Sequence, residues 1–300
     1  ADSSANHWVT YHRYDADGRQ VLTAEPSAFV AQSGLYYDED LPDLIDFADG
    51  DSPSLGNTAG LFRETVYYTS DGGGAAQGYV YQTAVAHGET AARLTPGSTG
   101  GPIVLASYEY AARTVGDVTI HPVAEQTVYT NEDGTGAVTT AYAYTWYSGT
   151  FQVQEQTTTL PEVETNQNGS GTSAISKQWF DDRGNLAWTM DELGRVTYRQ
   201  YDSLTGRLEQ TIEDLDDATA DALQLTIPTG WTLPASGGAN QTTDYQYDAF
   251  GRVTQSLGPA HTADLDGTPT SVRTASWMVY NDAAHETRAA QGYAVESAPE

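Results

Sequence analysis

One short pattern recurs along the chain and limits what it can fold into. It consists of an aromatic residue, Asp, two or three unrestricted residues, Gly, then Arg or Asn, and an aliphatic residue. Three copies, one of them with Met in place of the aromatic residue, follow one another between Trp179 and Ile212, and single copies occur near both ends. In chain order the copies are Tyr14-Asp15…Gly18-Arg19, Phe180-Asp181…Gly184-Asn185, Met190-Asp191…Gly194-Arg195, Tyr201-Asp202…Gly206-Arg207 and Tyr247-Asp248…Gly251-Arg252.

The residues of this pattern are typical of a β-hairpin turn. Asp at the first turn position accepts a hydrogen bond from the backbone N–H two residues later, and Gly takes the positive φ that closes the turn. The flanking aromatic and aliphatic residues favour strands, and a left-handed Gly gives the bulge that restores strand register. Arg after the Gly lies across the turn from Asp. We therefore predict a structural turn at each copy, with backbone capping as the role of the Asp.

The spacing of the copies indicates stacked units with insertions between them. Asp202 follows Asp181 by 21 residues, and Asp248 follows Asp202 by 46. A period of about twenty residues is typical of repeated supersecondary units, none of which buries its apolar face alone. The predicted fold class is therefore all-β, with antiparallel hairpin repeats in a strip and loop-rich insertions.

Alternation and turn residues divide the chain into seven predicted segments. Prolines, glycines and acidic residues interrupt the strand-like runs at the insertions. The segments are a first hairpin (1–26), a loop-rich insertion with at most a short helix near Leu41 to Phe47 (27–60), an antiparallel meander of long strands (61–160), a polar linker (161–174), tandem repeats (175–212), an acidic, proline-rich insertion (213–241), and a further repeat with terminal hairpins (242–300). Because strand-like sequence continues close to both ends, we expect a fragment of a larger repeat protein.

The charge excludes several classes of partner. Lys and Arg total 13 against 41 Asp and Glu, a formal net charge of −28. Such a chain repels nucleic acids and anionic membranes, whose binding depends on basic residues. The sequence has no Cys, which excludes disulfides and thiolate metal sites. It also has no apolar run of the roughly 18 residues that a transmembrane helix needs.

The repeated pattern resembles the YD repeat of the Rhs (recombination hot spot) repeat proteins, which include shell components of bacterial toxin complexes and the animal teneurins. The resemblance is close at Tyr14, Tyr201 and Tyr247, looser at Phe180, and weakest where Met190 replaces the aromatic residue. It implies a strip of hairpins that spirals into a hollow shell. In relatives the shell encloses a toxic C-terminal segment or serves in contact at the cell surface.

This resemblance sets the functional expectation. We expect a non-enzymatic structural segment of a large exported or cell-surface bacterial protein, without a cofactor. Its partners would be the rest of the same polypeptide and an enclosed C-terminal cargo, or a surface glycan or protein. Relatives that release a cargo carry an Asp-Pro-x-Gly motif for self-cleavage, and no Asp-Pro occurs here. Neither self-cleavage nor an attached toxin is therefore assigned to this chain.

The acidic residues and histidines of the chain occur in patterns typical of turns and not of catalytic or metal sites. Asp15-Ala16-Asp17-Gly18 and Asp264-Leu265-Asp266-Gly267 share a fragment of a calcium loop but lack its later Glu. We interpret both as turns, with adventitious Ca²⁺ binding left open. No zinc-protease, nucleophile-elbow, phosphate-loop or dinucleotide motif occurs. The histidines are scattered, at His7, His12, His87, His121, His261 and His285.

A second hypothesis is that the chain is a surface adhesin module that binds glycans. Aromatic residues cluster in the rows Tyr142, Tyr144, Trp146 and Tyr245, Tyr247, and Trp231 lies in the proline-rich insertion. Aromatic rings stack on sugars, but cross-strand packing accounts for such rows equally well. This hypothesis requires exposed aromatics on the insertions, and Trp231 and Trp146 are the two residues whose replacement would test it.

Overall fold

The computed structural model describes residues 10–28 and 58–295, whose regular secondary structure is almost entirely antiparallel β-strand. The chain forms two compact units, Ala1–Tyr142 and Ala143–Glu300, and the boundary falls inside one strand. The predicted all-β fold of antiparallel hairpins is confirmed. Three features of the sequence lie outside the described residues: the helix expected near Leu41 to Phe47, most of the insertion 27–60, and His7.

The described part of the first unit is built from short hairpins, a 3₁₀ turn at Pro26–Ala28 and a short helical turn, α1 (Glu89–Ala92). Its strands are β1 (Tyr11–Tyr14), β2 (Gln20–Ala24), β3 (Leu61–Tyr67), β4 (Val80–His87), β5 (Ile103–Tyr110), β6 (Arg113–Val115), β7 (Val118–Ile120), β8 (Val123–Tyr129) and the first half of β9 (Ala137–Trp146).

The second unit contains the tandem repeats and the longest strands. One short helix, α2 (Asp217–Ala222), lies in the acidic insertion and begins at Asp216, whose carboxylate accepts the Thr219 N–H. The strands are the second half of β9, β10 (Val153–Thr159), β11 (Ile175–Phe180), β12 (Leu186–Met190), β13 (Val196–Tyr201), β14 (Leu208–Glu213), β15 (Gln241–Tyr247), β16 (Val253–Leu265), β17 (Thr268–Asn281) and β18 (Glu286–Val295).

Strand order in the sheet follows chain order. Sixteen strands pair antiparallel from β1 to β18, and β6 and β7 form a separate hairpin within the β5–β8 connection. In such a meander, successive connections alternate between the two edges of the sheet. In the second unit one edge therefore carries the connections 147–152, 181–185, 202–207, 248–252 and 282–285. We call these five connections the turn edge.

The core of the first unit lies between β2, β3, β4 and the helical turn. Phe62 is fully buried and packs in one cluster with Leu22 and Ala86. Ala92 of α1 joins the same cluster, because the helical turn places its small side chain against the sheet. Two buried residues here are charged: Glu89 of α1, which pairs with Arg93, and Glu64 of β3, which lies opposite Leu22 and Ala84.

The core of the second unit shows that the acidic, proline-rich insertion is a covering layer. Trp188, Val196 and Ile212 project from adjacent strands, and Trp231 and Leu233 of the insertion pack on them. Trp231 is 7% exposed. The hypothesis that this tryptophan is an exposed sugar-binding residue is therefore wrong. Because Trp is the largest side chain in the insertion, burying Trp231 removes more apolar surface from water than burying any other side chain there would.

Two strands are longer than their sequence indicates, because a bulge carries β16 past a proline. The register shifts between Leu257 and Ala260, so that Gly258 and Pro259 have no pairing partner on β17. Arg273 of β17 donates to the carbonyls of Leu257, at 2.9 Å, and Gly258, at 2.7 Å. These bonds satisfy the backbone where the ladder is interrupted, so the strand continues to Leu265. The segment 161–174 connects the paired strands β10 and β11.

Candidate functional site

Four of the repeated turns use their Asp carboxylate in the same way. One oxygen accepts the backbone N–H groups two and four residues later, and the other accepts the side chain of the residue after Gly. In the first copy, Asp15 Oδ1 lies 3.0 Å from the Asp17 nitrogen and 2.9 Å from the Arg19 nitrogen, and Asp15 Oδ2 lies 2.7 Å from Arg19 Nε. The same three bonds recur at Asp181, Asp191 and Asp248.

The copy at Phe180 keeps this arrangement without an arginine. Asn185 Nδ2 donates to Asp181 Oδ2 at 2.8 Å, where the other turns have an Arg Nε. An amide group supplies one N–H donor at the same place, so the turn is closed in the same way. The neighbouring Arg183 instead donates to the carbonyl of Ser203 in the next turn.

The turn at Asp202 is one residue longer and differs in its bonds. Gly206 donates to the Asp202 carbonyl at 2.9 Å, an i to i+4 bond. Asp202 Oδ1 accepts both the N–H of Thr205, at 2.7 Å, and its hydroxyl, at 2.6 Å. The side chain of Arg207 can therefore reach beyond its own turn. Its Nη1 donates to the carbonyl of Asp248 in the next turn, at 2.9 Å.

The aromatic residue before each Asp marks a change of register. Pairing shifts between Trp179 and Phe180, between Gln200 and Tyr201, and between Gln246 and Tyr247. In each case the strand after the turn has one unpaired residue, a bulge. The same shift precedes Tyr14 in the first unit. These bulges increase the local twist, and the aromatic residue beyond each bulge makes the last pair of the ladder before the turn.

Tyrosine hydroxyls of the turn edge connect one hairpin to its neighbour. Tyr201 donates to the Leu186 carbonyl at 3.0 Å, and Tyr247 donates to the Leu208 carbonyl at 2.7 Å. Tyr280 donates to the Val253 carbonyl at 3.0 Å. Each acceptor is the residue that follows the Arg or Asn of the preceding copy. Tyr67 in the first unit makes the equivalent bond to Gln20, at 3.1 Å.

Arginines of the pattern cover the rings of these same tyrosines. The Cζ atom of Arg252 lies 4.2 Å from the ring centroid of Tyr280, and that of Arg207 lies 5.7 Å from the centroid of Tyr247. In the first unit Arg19 lies 4.8 Å from Tyr67. Such separations fit cation–π contacts. The Arg of one copy and the aromatic of the next thus form one contact between neighbouring hairpins.

The weakest copy lies on the opposite edge. The β12–β13 turn at Asp191 and Arg195 is separated by one strand from each neighbouring turn of the turn edge, and its strands pair without a register shift. At residue 190 a tyrosine hydroxyl would therefore have no neighbouring turn to bond, and the Met190 side chain packs against the core instead. The position on the sheet accounts for the missing aromatic residue.

The sequence predicts a last hairpin with its turn at Asn281-Asp282, and the structure shows that this turn is a further, degenerate copy of the pattern, which the sequence interpretation did not recognise as such. It reads Tyr280-Asn281-Asp282-Ala283-Ala284-His285, with Asn in place of Asp and His in place of Gly. Asn281 Oδ1 accepts the Ala284 N–H at 3.3 Å, and His285 has the positive φ, at 51°. Asn accepts the same hydrogen bonds as Asp in such turns. The regular position of Tyr280 before Asn281 was the signal that could have found it.

Hydrogen bonding holds several of the turn carboxylates in their charged form. The Arg19 backbone N–H is the largest cause of the lowered pKa of Asp15, and the Thr205 side chain is the largest cause at Asp202. At Asp248 partial desolvation alone would raise the pKa, but the bonds from Arg252 outweigh it and lower the pKa. Arg252 is itself paired with two carboxylates, Asp248 and Asp282, and its pKa is raised.

The carboxylates of the pattern are therefore occupied by backbone and arginine. Asp17 binds Arg19 at 2.8 Å, and Asp264 Oδ1 accepts the Gly267 N–H at 2.7 Å, so both calcium-like fragments are turns. Within residues 10–28 and 58–295, no three His, Asp or Glu side chains are grouped closely enough to hold a metal ion. In the same ranges no helix has the length and apolarity to span a membrane.

Comparisons with known proteins give only distant matches. No protein-family model matches the chain, and no curated protein matches it. A crystal structure of TcdB2-TccC3-Cdc42 is 14% identical with a TM-score of 0.41, covering 93% of this chain and 12% of that one. A Photorhabdus luminescens Tc holotoxin pore with a mutated TccC3 is 12% identical with a TM-score of 0.37, covering 94% and 15%. TcdB2-TccC3 without the hypervariable C-terminal region is 14% identical with a TM-score of 0.39, covering 90% and 13%. The chain thus spans less than a sixth of each of these three structures.

Proposed function

We propose that this chain is a non-enzymatic structural segment of a larger exported or cell-surface repeat protein of the YD/Rhs type. Within that protein it forms part of the wall of a β-hairpin shell, or part of a scaffold. Its first partner is the rest of the same polypeptide. The shell would enclose a C-terminal cargo or present a surface in cell contact. The chain needs no cofactor for this role.

The observation that carries the proposal is a recurring contact between neighbouring hairpins, found at the turn edge of the second unit and again at Tyr67 in the first unit. A tyrosine of one hairpin is seated on the backbone carbonyl and arginine of the hairpin before it, at Tyr67, Tyr247 and Tyr280. A contact that is repeated with the motif adds stability to every neighbouring pair, as in other repeat proteins. It supports a role in which the stability of the sheet is itself what the repeated pattern provides.

The occupied carboxylates support the absence of catalysis in this role. A general acid or nucleophile has to reach a substrate, whereas Asp15, Asp181 and Asp248 each have both oxygens bonded within their own turns. Removing such bonds to free the carboxylate would cost stability. A screen of the chain on glycans and esters is expected to give no turnover.

Electron microscopy of the full-length parent protein tests the proposal. A continuous hollow shell or strip that includes this segment is the expected result. Separate compact beads, with this chain as one of them, would overturn it. Limited proteolysis of the same sample adds a second readout, because the turns of a continuous wall are cut much more slowly than the linkers between beads.

The glycan-binding alternative is favoured by one specific observation and weakened by another. Trp231, one of its two candidate residues, is buried in the core and donates to Glu155. Trp179 is only partly buried, and it lines a cavity between the sheet and the insertion. The second function therefore depends on this cavity rather than on exposed aromatics of the insertion.

A further inference from the structure

The second unit contains a cavity of about 420 Å³ between β9, β10 and β11 and the proline-rich insertion. The indole of Trp179 and the carboxylate of Glu155 line its sheet side, together with Thr145 and Gln154. The loop from Thr226 to Thr229 lines the other side. Its volume is within the range of small-ligand sites.

The carboxylate in this cavity is held in place by the core and is electrically balanced. Glu155 Oε2 accepts Trp231 Nε1 at 2.7 Å. The other oxygen, Oε1, accepts the Thr157 hydroxyl at 3.3 Å and lies 3.9 Å from Lys177 Nζ. Its side chain is 18% exposed. The long distances on Oε1 leave it able to accept a further hydrogen bond, and Lys177 compensates its charge.

This combination of groups selects against charged ligands. An anion would meet both Glu155 and the field of a chain with a net charge of −28. A cation would compete with Lys177, which already pairs with Glu155 and lies 5.9 Å from the ring centroid of Trp231. A neutral ligand meets neither penalty.

We propose that this cavity binds a neutral saccharide. The Trp179 ring offers an apolar face for sugar C–H groups, and Glu155 Oε1 accepts a sugar hydroxyl. Gln154 and the threonine hydroxyls supply further donors and acceptors around the ring. The site lies beside the turn edge, since Thr145, Gln154 and Trp179 are each two residues from one of its connections. None of its lining residues makes the tyrosine–arginine contacts between hairpins, so saccharide binding goes beyond the proposed structural role and does not depend on it.

A glycan array that carries neutral, sialylated, sulfated and amino-sugar oligosaccharides tests the proposal on the full chain. Binding of neutral oligosaccharides is the expected result, followed by calorimetric titration of the best one. The variant Thr226→Trp places a large side chain in the cavity wall and should weaken binding at least tenfold. Thr226 is exposed, so the substitution leaves the core intact.

The matched control is Thr232→Trp, an exposed position in the same insertion that does not line the cavity. It should bind like the original chain. Failure of every neutral oligosaccharide to bind, binding of charged sugars only, or equal binding by Thr226→Trp would each overturn the proposal. Trp179→Ala gives a second readout, and its far-UV circular dichroism separates lost binding from lost folding. None of these results bears on whether the parent protein forms a shell.

Discussion

Arg252 lies over the ring of Tyr280, 4.2 Å from its centroid, while the Tyr280 hydroxyl donates to the carbonyl of Val253, the residue next to Arg252. The two residues belong to different hairpins. Arg207 with Leu208 seats Tyr247 in the same way, and Arg19 with Gln20 seats Tyr67. The aromatic residue of the repeated pattern therefore acts between copies, and Asp and Gly act within one. The arginine does both, because Arg19 and Arg252 also bond the Asp of their own turns.

Removing one tyrosine hydroxyl tests this division of roles. Tyr247→Phe leaves the ring under Arg207 but deprives the Leu208 carbonyl of its donor, so we expect a loss of about 1 kcal/mol in the free energy of unfolding. Urea denaturation measures it. Tyr245→Phe is the control, because among the described residues the Tyr245 hydroxyl has no hydrogen bond. Equal effects of the two substitutions would contradict the role given to Tyr247.

Gly206 provides a test of backbone strain without steric conflict. Its φ is +69°, and a Cβ built there meets no atom within 4 Å. Gly206→Val should therefore lose about 1–2 kcal/mol through the left-handed backbone alone. Gly206→Asn should lose less, because Asn tolerates this conformation. Thermal denaturation compares the two. If Val and Asn cost the same, the strain is not located at this φ.

Asp202 and Asp248 should respond differently to the same substitution. Asp202→Asn keeps an oxygen for the Thr205 N–H and hydroxyl, so its melting temperature should barely change. Asp248→Asn removes the charged oxygen that Arg252 Nε contacts at 2.7 Å, and its melting temperature should fall further. Scanning calorimetry at low salt compares the pair. A larger effect at Asp202 would refute the assignment, and loss of an activity with unchanged stability would make the structural interpretation of this turn wrong.

The sequence pattern indicated the turns but not the layer that covers the sheet. Asp, Gly and the residues between them act through the local backbone, so their pattern was enough to predict antiparallel hairpins. Trp231 acts through a distant partner, Glu155, and local composition indicated only a proline-rich loop. The ladder through Gly258 and Pro259 was missed for the same reason, since Arg273 on another strand satisfies the interrupted backbone.

The contacts between hairpins were also beyond the pattern itself. Arg19 and Arg207 are each followed by the residue whose carbonyl receives a tyrosine, but the tyrosine lies 47 and 39 residues further on. Because the insertions between hairpins differ in length, these contacts do not recur at a fixed sequence spacing. Met190 departs from the pattern because its turn lies on the opposite edge. Asn281 departs from it because Asn can replace Asp in such a turn.

The first unit should lose stability as the pH rises. Glu64 is 8% exposed, and its Oε1 has no hydrogen-bond partner among the described residues. Burial raises its pKa to about 7, although Arg13 acts in the opposite direction. A raised pKa in the folded state means that the stabilising proton is fully bound below the unfolded value of 4.5 and is lost as the pH passes 7.

Between pH 4.5 and about 8 this deprotonation should cost on the order of 2 kcal/mol, after allowance for solvent screening. Glu64→Gln removes the titration and should remove the effect. Hydrogen exchange of peptides from Leu61–Tyr67 compares this variant with the original chain at each pH, which cancels the intrinsic pH dependence. Glu109→Gln, at an exposed position on β5, is the control. Identical protection of the original chain and Glu64→Gln at pH 8 would show that the carboxylate is not buried as described.

Trp231 should behave as a core anchor whose indole N–H matters. Trp231→Phe keeps a ring in the cluster but removes the donor that lies 2.7 Å from Glu155 Oε2, so a largely buried carboxylate loses a partner. We expect a loss of about 1–3 kcal/mol from the missing bond, in addition to the smaller ring. Trp277→Phe controls for ring size, because among the described residues the Trp277 indole makes no hydrogen bond. Combining Trp231→Phe with Glu155→Gln in a double-mutant cycle isolates the coupling of the pair. A coupling energy near zero would mean that the insertion is held on the sheet by apolar contact alone.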